Sequence, residues 1–299
     1  MKIVVTGSLG KISKPLTEEL VQKGHSVTVI SRKPERQKEI ETLGAAAAIG
    51  SIEDANFLTS IFTDADAVYT MITSAGRLTD PNFDSTAYAS HVANNYKHAI
   101  QLSGVKRMVN LSSIGAHTNN SNGVLAFYYN IETILKTLPS DVAITFMRPV
   151  GFYNNLLGFI NTIKTRGVIA SNYGGDDKNP WVSPIDIAAA IAEEITTPLV
   201  GRKARYVASD ELTCNEVASI LGAAIGKPDL KWIVIPDEGL LNGMIAAGMS
   251  PRVAAGLVEM NASMHSGKLY ADYYVNRPAL GKVKMKDFAK EFAAVYNQK

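Results

Sequence analysis

Residues 1–20, "MKIVVTGSLGKISKPLTEEL", decide how the chain is read. Met1 to Thr6 form a short apolar run rich in valine and isoleucine. Gly7-Ser8-Leu9-Gly10 follows, and apolar residues then recur at helical spacing from Ile12. A strand that passes through a glycine turn into a helix is a phosphate-binding arrangement. The first turn of the helix presents unpaired N–H groups and the positive end of its dipole. Gly7 allows a tight turn, and Gly10 lets the backbone approach a pyrophosphate. The third position of the dinucleotide fingerprint, normally a glycine for close helix–strand packing, is Ser13.

Working outward, β-rich runs alternate with helical patterns. The pattern predicts strands at Lys2–Thr6, Ser26–Ile30, Ala45–Ile49, Ala67–Ile72, Arg107–Leu111 and Val142–Met147. Helices are predicted at Ile12–Lys23, Pro34–Leu43, Ala55–Phe62, Ser85–Ser103 and Leu125–Leu138. Such alternation makes an α/β fold with a parallel sheet covered on both faces. Beyond Arg148-Pro149 the rhythm loosens. Gly158–Thr165 reads as helix and Ser171–Asn179 as a polar loop. Ser183-Pro184 opens a helix that stops before Pro198. Ala204–Val207 and Lys231–Ile235 read as strands. Thr213-Cys214-Asn215-Glu216 is a capping box opening a helix that ends at Gly226.

The chain has 299 residues, 46% apolar and 19% charged, the make-up of a globular protein with a sizeable core. Lys and Arg total 30 against 28 Asp and Glu, with no single-sign run, so composition makes no case for nucleic-acid binding. A single cysteine, Cys214, cannot form an internal disulfide. No uninterrupted apolar stretch approaches the roughly 20 residues of a membrane span. A cytoplasmic protein is expected.

The end of the second strand indicates which dinucleotide. Sites for NAD place an acid there for the ribose hydroxyls. Here the residues are Ser31-Arg32-Lys33. Two cations and a hydroxyl suit a 2′-phosphate, which Arg32 can grip as a fork while Lys33 adds a point charge. NADPH is the expected cofactor.

Several motifs in order carry a resemblance. "VVTGSLGKI" (4–12), "SRKPE" (31–35), "VNLSSIGAH" (109–117), "RPVGFYNNL" (148–156) and "VSPIDIAAAIAEEI" (182–195) resemble the NmrA-like atypical short-chain dehydrogenase/reductases, nearest the NADPH-dependent quinone oxidoreductases. The resemblance implies a doubly wound parallel sheet (Rossmann) with a smaller, partly helical C-terminal lobe. Residues 1–150 would form the NADP(H)-binding domain, with 181–209 returning to it. Residues 151–180 and 210–299 would cap the substrate. By resemblance Thr6, Gly7, Leu9, Gly10, Lys11 and Ile12 line the pyrophosphate, and Ser31, Arg32 and Lys33 hold the 2′-phosphate. Ile72, Thr73 and Ser74 pass along the ribose, and Pro149, Gly151 and Phe152 flank the nicotinamide. Many relatives have an acid after the third strand, near adenine; this chain has Gly50-Ser51.

Typical members of the superfamily use a serine after the fifth strand and a Tyr-x-x-x-Lys pair. The serine element is present as Ser112-Ser113, but Tyr128 is followed four residues on by Glu132, and Tyr129 by Thr133. A carboxylate one helical turn away is expected to keep Tyr128 protonated, able to donate a hydrogen bond but a poor base. That disfavours alcohol oxidation and suits quinones, whose reduced anion is delocalised and weakly basic. The catalytic candidates are Tyr128, Ser112 and Ser113. The implied activity is hydride transfer from NADPH to a quinone or similar electron-poor carbonyl. A non-catalytic NADP(H)-sensing regulator is the alternative.

No metal site is expected: His91 and His98 share a helix face without supporting ligands. His117 is either a plain loop residue or near the pocket. Cys214 opens a helix, where a thiolate is favoured, but has no partner base. Asp186 reads as a helix cap. Met244, Met249, Met260 and Met264 either roof a substrate site or serve core or homo-oligomer packing. Asn154 and Asn155 either orient a carbonyl or cap the helix that follows.

Overall fold

The computed structural model describes residues 1–72, 80, 83–198 and 200–298. Its strands are β1 (Lys2–Val5), β2 (Ser26–Ser31), β3 (Ala46–Ile49), β4 (Ala67–Thr70), β5 (Arg107–Leu111), β6 (Ala143–Pro149), β7 (Gly151–Phe152), β8 (Val168–Ser171), β9 (Lys178–Val182), β10 (Arg202–Val207), β11 (Asp210–Thr213) and β12 (Lys231–Val234). The α-helices are α1 (Ser13–Gln22), α2 (Gln37–Thr42), α3 (Ala55–Phe62), α4 (Ser85–Ser103), α5 (Ala126–Leu135), α6 (Ile160–Arg166), α7 (Pro184–Thr196), α8 (Cys214–Ala224), α9 (Asp237–Ala246), α10 (Pro251–His265), α11 (Ala271–Val275) and α12 (Met285–Tyr296).

Seven strands form one sheet in the order β10-β6-β5-β4-β1-β2-β3, every pair parallel. The order reverses between β1 and β4. In open parallel sheets a ligand binds at such a point, outside the carboxyl ends of the strands. The two-residue period of a strand sorts the core. Ile3 and Val5 of β1 face α1 and α7, packing with Leu16, Leu20, Ile187 and Ile191. Val4 faces the other side and joins Leu58, Val92, Tyr96 and Ile131 from α3, α4 and α5. This is the doubly wound sheet the motifs imply.

A third cluster lies away from the sheet: Leu156, Ile169, Trp181, Val217, Leu221, Trp232 and Phe292. It is built on two small sheets, β11-β9-β7 and β12-β8. Part of this region departs from the sequence reading. The run 171–179, read as a polar loop, is bracketed by β8 and by β9, which starts at Lys178. β7 has only two residues, and β9 and β11 are short and carry polar residues or proline, so no alternating pattern announces them. Their pairings, such as Gly151 with Trp181 and Asp210 with Trp181, are set by tertiary packing. Elsewhere the differences are at ends. The segment before α5 is a 3-10 turn over Gly123–Leu125, and another over Tyr153–Phe159 precedes α6.

Candidate functional site

The turn after β1 is shaped by two successive left-handed residues, Gly7 (φ 90°) and Ser8 (φ 54°). A Cβ on Gly7 would overlap the Met71 sulfur and stand 2.5 Å from Ser13 Oγ. One on Gly10 would stand 3.1 Å from the Gly7 carbonyl oxygen. Ser13 therefore fills the place of the missing third glycine without loosening the turn. It is fully buried, and its hydroxyl donates to the Thr6 carbonyl at 2.8 Å, fastening α1 to the end of β1. Thr6 is fastened too, accepting from Met71 N at 2.9 Å. The backbone N–H groups of Leu9, Lys11 and Ile12 find no acceptor among the described residues. A turn with close backbone, no Cβ in the way and free amides ahead of a helix fits a diphosphate.

Ser31 joins this turn to the basic pair. It is buried, and its hydroxyl accepts from Ser8 Oγ at 2.9 Å and from Lys33 N at 3.2 Å. Arg32 and Lys33 project outward, with side chains 57% and 69% exposed. Each is only loosely paired, Arg32 to Glu53 at 3.7 Å and Lys33 to Glu35 at 4.0 Å. Exposed cations beyond an anion-shaped turn are open to a further phosphoryl group. Ile72 is buried just past β4, while Thr73 and Ser74 lie outside the described residues. Pro149 ends β6, and Gly151 and Phe152 form β7, half-buried.

The three catalytic candidates differ in what their hydroxyls have left to give. Ser112 is buried and donates to Glu132 Oε1 at 2.6 Å. Glu132 is fully buried and held by Arg148 as a fork, Nε to Oε1 at 2.9 Å and Nη2 to Oε2 at 2.8 Å. An acid gripped this way is a carboxylate, so the shared proton is the serine's. Ser112 is thus an acceptor toward anything else in the site. The hydroxyls of Ser113 and Tyr128 have no partner among the described residues. The Tyr128 phenol is raised to about 12, as expected in direction. The cause is burial, however, and not Glu132, whose carboxylate is engaged with Arg148, Ser112 and Lys136.

A family model described as NAD(P)H-binding matches residues 7–198, from the glycine turn to the end of α7. The chain belongs to the NAD(P)H-binding family. A (4-alkanoyl-5-oxo-2,5-dihydrofuran-3-yl)methyl phosphate reductase from Streptomyces griseus is 26% identical over 76% of this chain and 74% of its own. An NADPH-dependent quinone oxidoreductase from Escherichia coli, solved in complex with NADPH, superposes with a TM-score of 0.80. It is 19% identical, over 97% of this chain and 99% of that one. A triphenylmethane reductase from Citrobacter sp. superposes with a TM-score of 0.76, also at 19% identity, over 98% and 100%. The likeness to these two structures is one of fold.

In this NAD(P)H-binding protein the residues that the sequence did not single out are Arg148, Asp272 and Tyr206. Arg148 Nη1 donates to Asp272 Oδ2 at 3.1 Å, and the Tyr206 hydroxyl donates to the same oxygen at 2.5 Å. A buried chain of contacts thereby links Ser112 to α11. Arg148 stands beside Pro149 in a quoted motif, but Glu132 and Asp272 are 16 and 124 residues from it, so spacing gives no signal. His117 lies close to this chain of charges. Burial lowers its pKa from the ordinary 6.5, Asp272 and Glu132 oppose that, and Arg148 reinforces it. Its Nδ1 is buried without a partner among the described residues.

The readings of Asp186 and Asn154 are corrected, and the other residues weighed take their places in the fold. Asp186 is no simple cap; Ser183 caps α7. The Asp186 carboxylate accepts from Ser209 Oγ at 2.6 Å and from the backbone of Lys282 and Val283, clasping the C-terminal segment to α7. At Cys214 burial outweighs the helix terminus and pushes the thiol up to about 12. Asn154 neither caps nor faces the site but donates to Glu291. Met260 and Met264 pack against the sheet core. His91 and His98 are exposed on α4. No cluster of metal ligands is present among the described residues, nor is any helix there long and apolar enough to cross a membrane.

Proposed function

We propose that the protein is an NADPH-dependent reductase acting on a quinone or a similarly electron-poor carbonyl. The observation that carries this reading is the glycine cradle at Gly7 and Gly10 with Arg32 and Lys33 open beyond it. The reductase names of the relatives support it. NADPH, when bound, supplies the hydride. The chain supplies the rest: Leu9, Lys11 and Ile12 amides for the diphosphate, and Arg32 and Lys33 for the 2′-phosphate. Pro149, Gly151 and Phe152 would flank the nicotinamide. Tyr128 and Ser113 have hydroxyl protons to offer a substrate oxygen that gains charge. Ser112, its one hydrogen bond donated to Glu132, receives a hydrogen bond instead, from a ribose hydroxyl or an amide. Residues 151–180 and 210–299 are proposed as the capping lobe.

With burial holding the Tyr128 phenol at about 12, the chain has no base there at neutral pH. A reaction whose product anion is delocalised needs none, and runs on proximity and a few hydrogen bonds. Incubation with NADPH and a panel of quinones should show cofactor oxidation. Tyr128→Phe should lower kcat by about a hundredfold with KM little changed, the lower end of what loss of a single donor to a developing oxyanion costs. Absence of cofactor oxidation above background across the panel overturns the reading and leaves a dinucleotide-binding sensor.

A second expectation concerns selectivity. Replacing Arg32 and Lys33 with alanine together should weaken NADPH binding by roughly tenfold or more while NADH is nearly unaffected, because both cations meet the phosphate in solvent-screened surroundings. Calorimetry with both dinucleotides measures this directly. Equal binding of the two by the wild type contradicts it.

A further inference from the structure

We propose that Glu53, in the loop after β3, sets how strongly the site prefers the phosphorylated dinucleotide, by competing with the 2′-phosphate for Arg32. The inference rests on the reading of Arg32 as the 2′-phosphate residue.

An acid is absent from the end of β2, where a site for NAD would hold one. The fold returns an acid to the same place from the next loop. Gly50 N donates to Ser31 O at 2.9 Å, so the loop leaving β3 is tied to the residue just before Arg32. Three residues further on, Glu53 brings a carboxylate oxygen to 3.7 Å from Arg32 Nη1. Among the described residues it is the one carboxylate paired with that guanidinium.

Glu53 is also the better anchored partner. Its backbone N–H donates to Ser51 Oγ at 3.1 Å, and its carbonyl accepts from Asn95 Nδ2 of α4 at 2.9 Å. Its carboxylate accepts from the Tyr88 hydroxyl at 3.4 Å. The side chain is 32% exposed against 57% for Arg32, so the arginine is the one with freedom to move.

A carboxylate so placed has two opposed effects. It draws Arg32 away from a phosphate dianion and repels that dianion. It also offers an acceptor to a ribose hydroxyl, which the donors of Arg32 and Lys33 cannot. The site therefore holds a determinant for each dinucleotide, and the acid moderates the preference that the cations create.

Calorimetry on Glu53→Gln with NADPH and NADH tests this. The ratio of the two Kd values should move toward NADPH by about fivefold, the scale of a half-exposed ion pair. Glu53→Asp, which draws the carboxylate back from Arg32, should move it the same way by less. In an Arg32→Ala background the Glu53→Gln shift should shrink to below about twofold, since the competition has gone. Thermal melting of each variant checks that it is folded. A ratio unchanged by Glu53→Gln, or a shift equally large without Arg32, overturns the proposal while leaving the NADPH reading intact. Failure of the wild type to bind either dinucleotide overturns both.

Discussion

Gly7→Ala should reduce dinucleotide affinity by roughly 5- to 150-fold, the equivalent of the about 1–3 kcal/mol that a non-glycine residue costs in such a backbone conformation. Two causes act together. The backbone of Gly7 lies at φ 90°, a region alanine rarely adopts. The new methyl group also enters the space of the Met71 side chain and of Ser13 Oγ. The methionine can swing aside, but the serine is fixed by its hydrogen bond to Thr6. The turn must then open, displacing the unpaired amides of Leu9, Lys11 and Ile12. Titration of Gly7→Ala with NADPH checks this. Ser13→Gly, which restores the three-glycine pattern, should retain binding and lose only about 1 kcal/mol of stability with the hydrogen bond. Undiminished affinity in Gly7→Ala would show that the turn does not hold the diphosphate.

The second large effect is on stability. Arg148→Met should cost about 3–5 kcal/mol, because it leaves a buried carboxylate without its main counter-charge. Glu132 is fully buried, and in the variant it keeps only the Ser112 hydroxyl and the half-exposed Lys136 amine. The double variant Arg148→Met with Glu132→Leu should recover most of the loss, since the isolated charge is then gone. Asp272 has a 30% exposed side chain and can turn to water, so it adds little to the deficit. Denaturant midpoints of the single and double variants separate the cases. Equal destabilisation of the two would show that arginine packing, and not charge pairing, is what matters at this position.

Much of the first half of the fold was legible because local and tertiary demands coincide there. β1 is an unbroken apolar run because the sheet is covered on both faces, and Gly7 marks its end. The acid N-caps of α3 and α4, Asp54 and Asp84, sit where their helices begin. The glycine turn and the basic pair stand out as motifs for the same reason: each is contiguous in sequence. What could not be read was assembled from distant parts. Glu132 follows Tyr128 at the spacing that would place it against the phenol, yet its carboxylate pairs with Arg148 from β6. A position on a helix face names a neighbour, but the strongest partner in reach takes the charge. β7 and β11 exist only through their pairing with β9, and Asp186 found its partners about a hundred residues away.

One contact between the two halves of the chain bears on how the protein could be altered. The 3-10 turn at Gly123, three residues before the start of α5, meets Gly256 of α10, and a Cβ on Gly123 would collide with the Gly256 carbonyl. The same added atom would also crowd Met260 N, so the turn lies directly against the α10 backbone. A larger residue at Gly123 must push the two backbones apart, whereas one at Gly256 meets first the Val124 side chain, which need give only slightly. A bare backbone at position 123 is thus what lets α10 seat against the turn before α5, and the tightness of that joint rests on an atom that is not there.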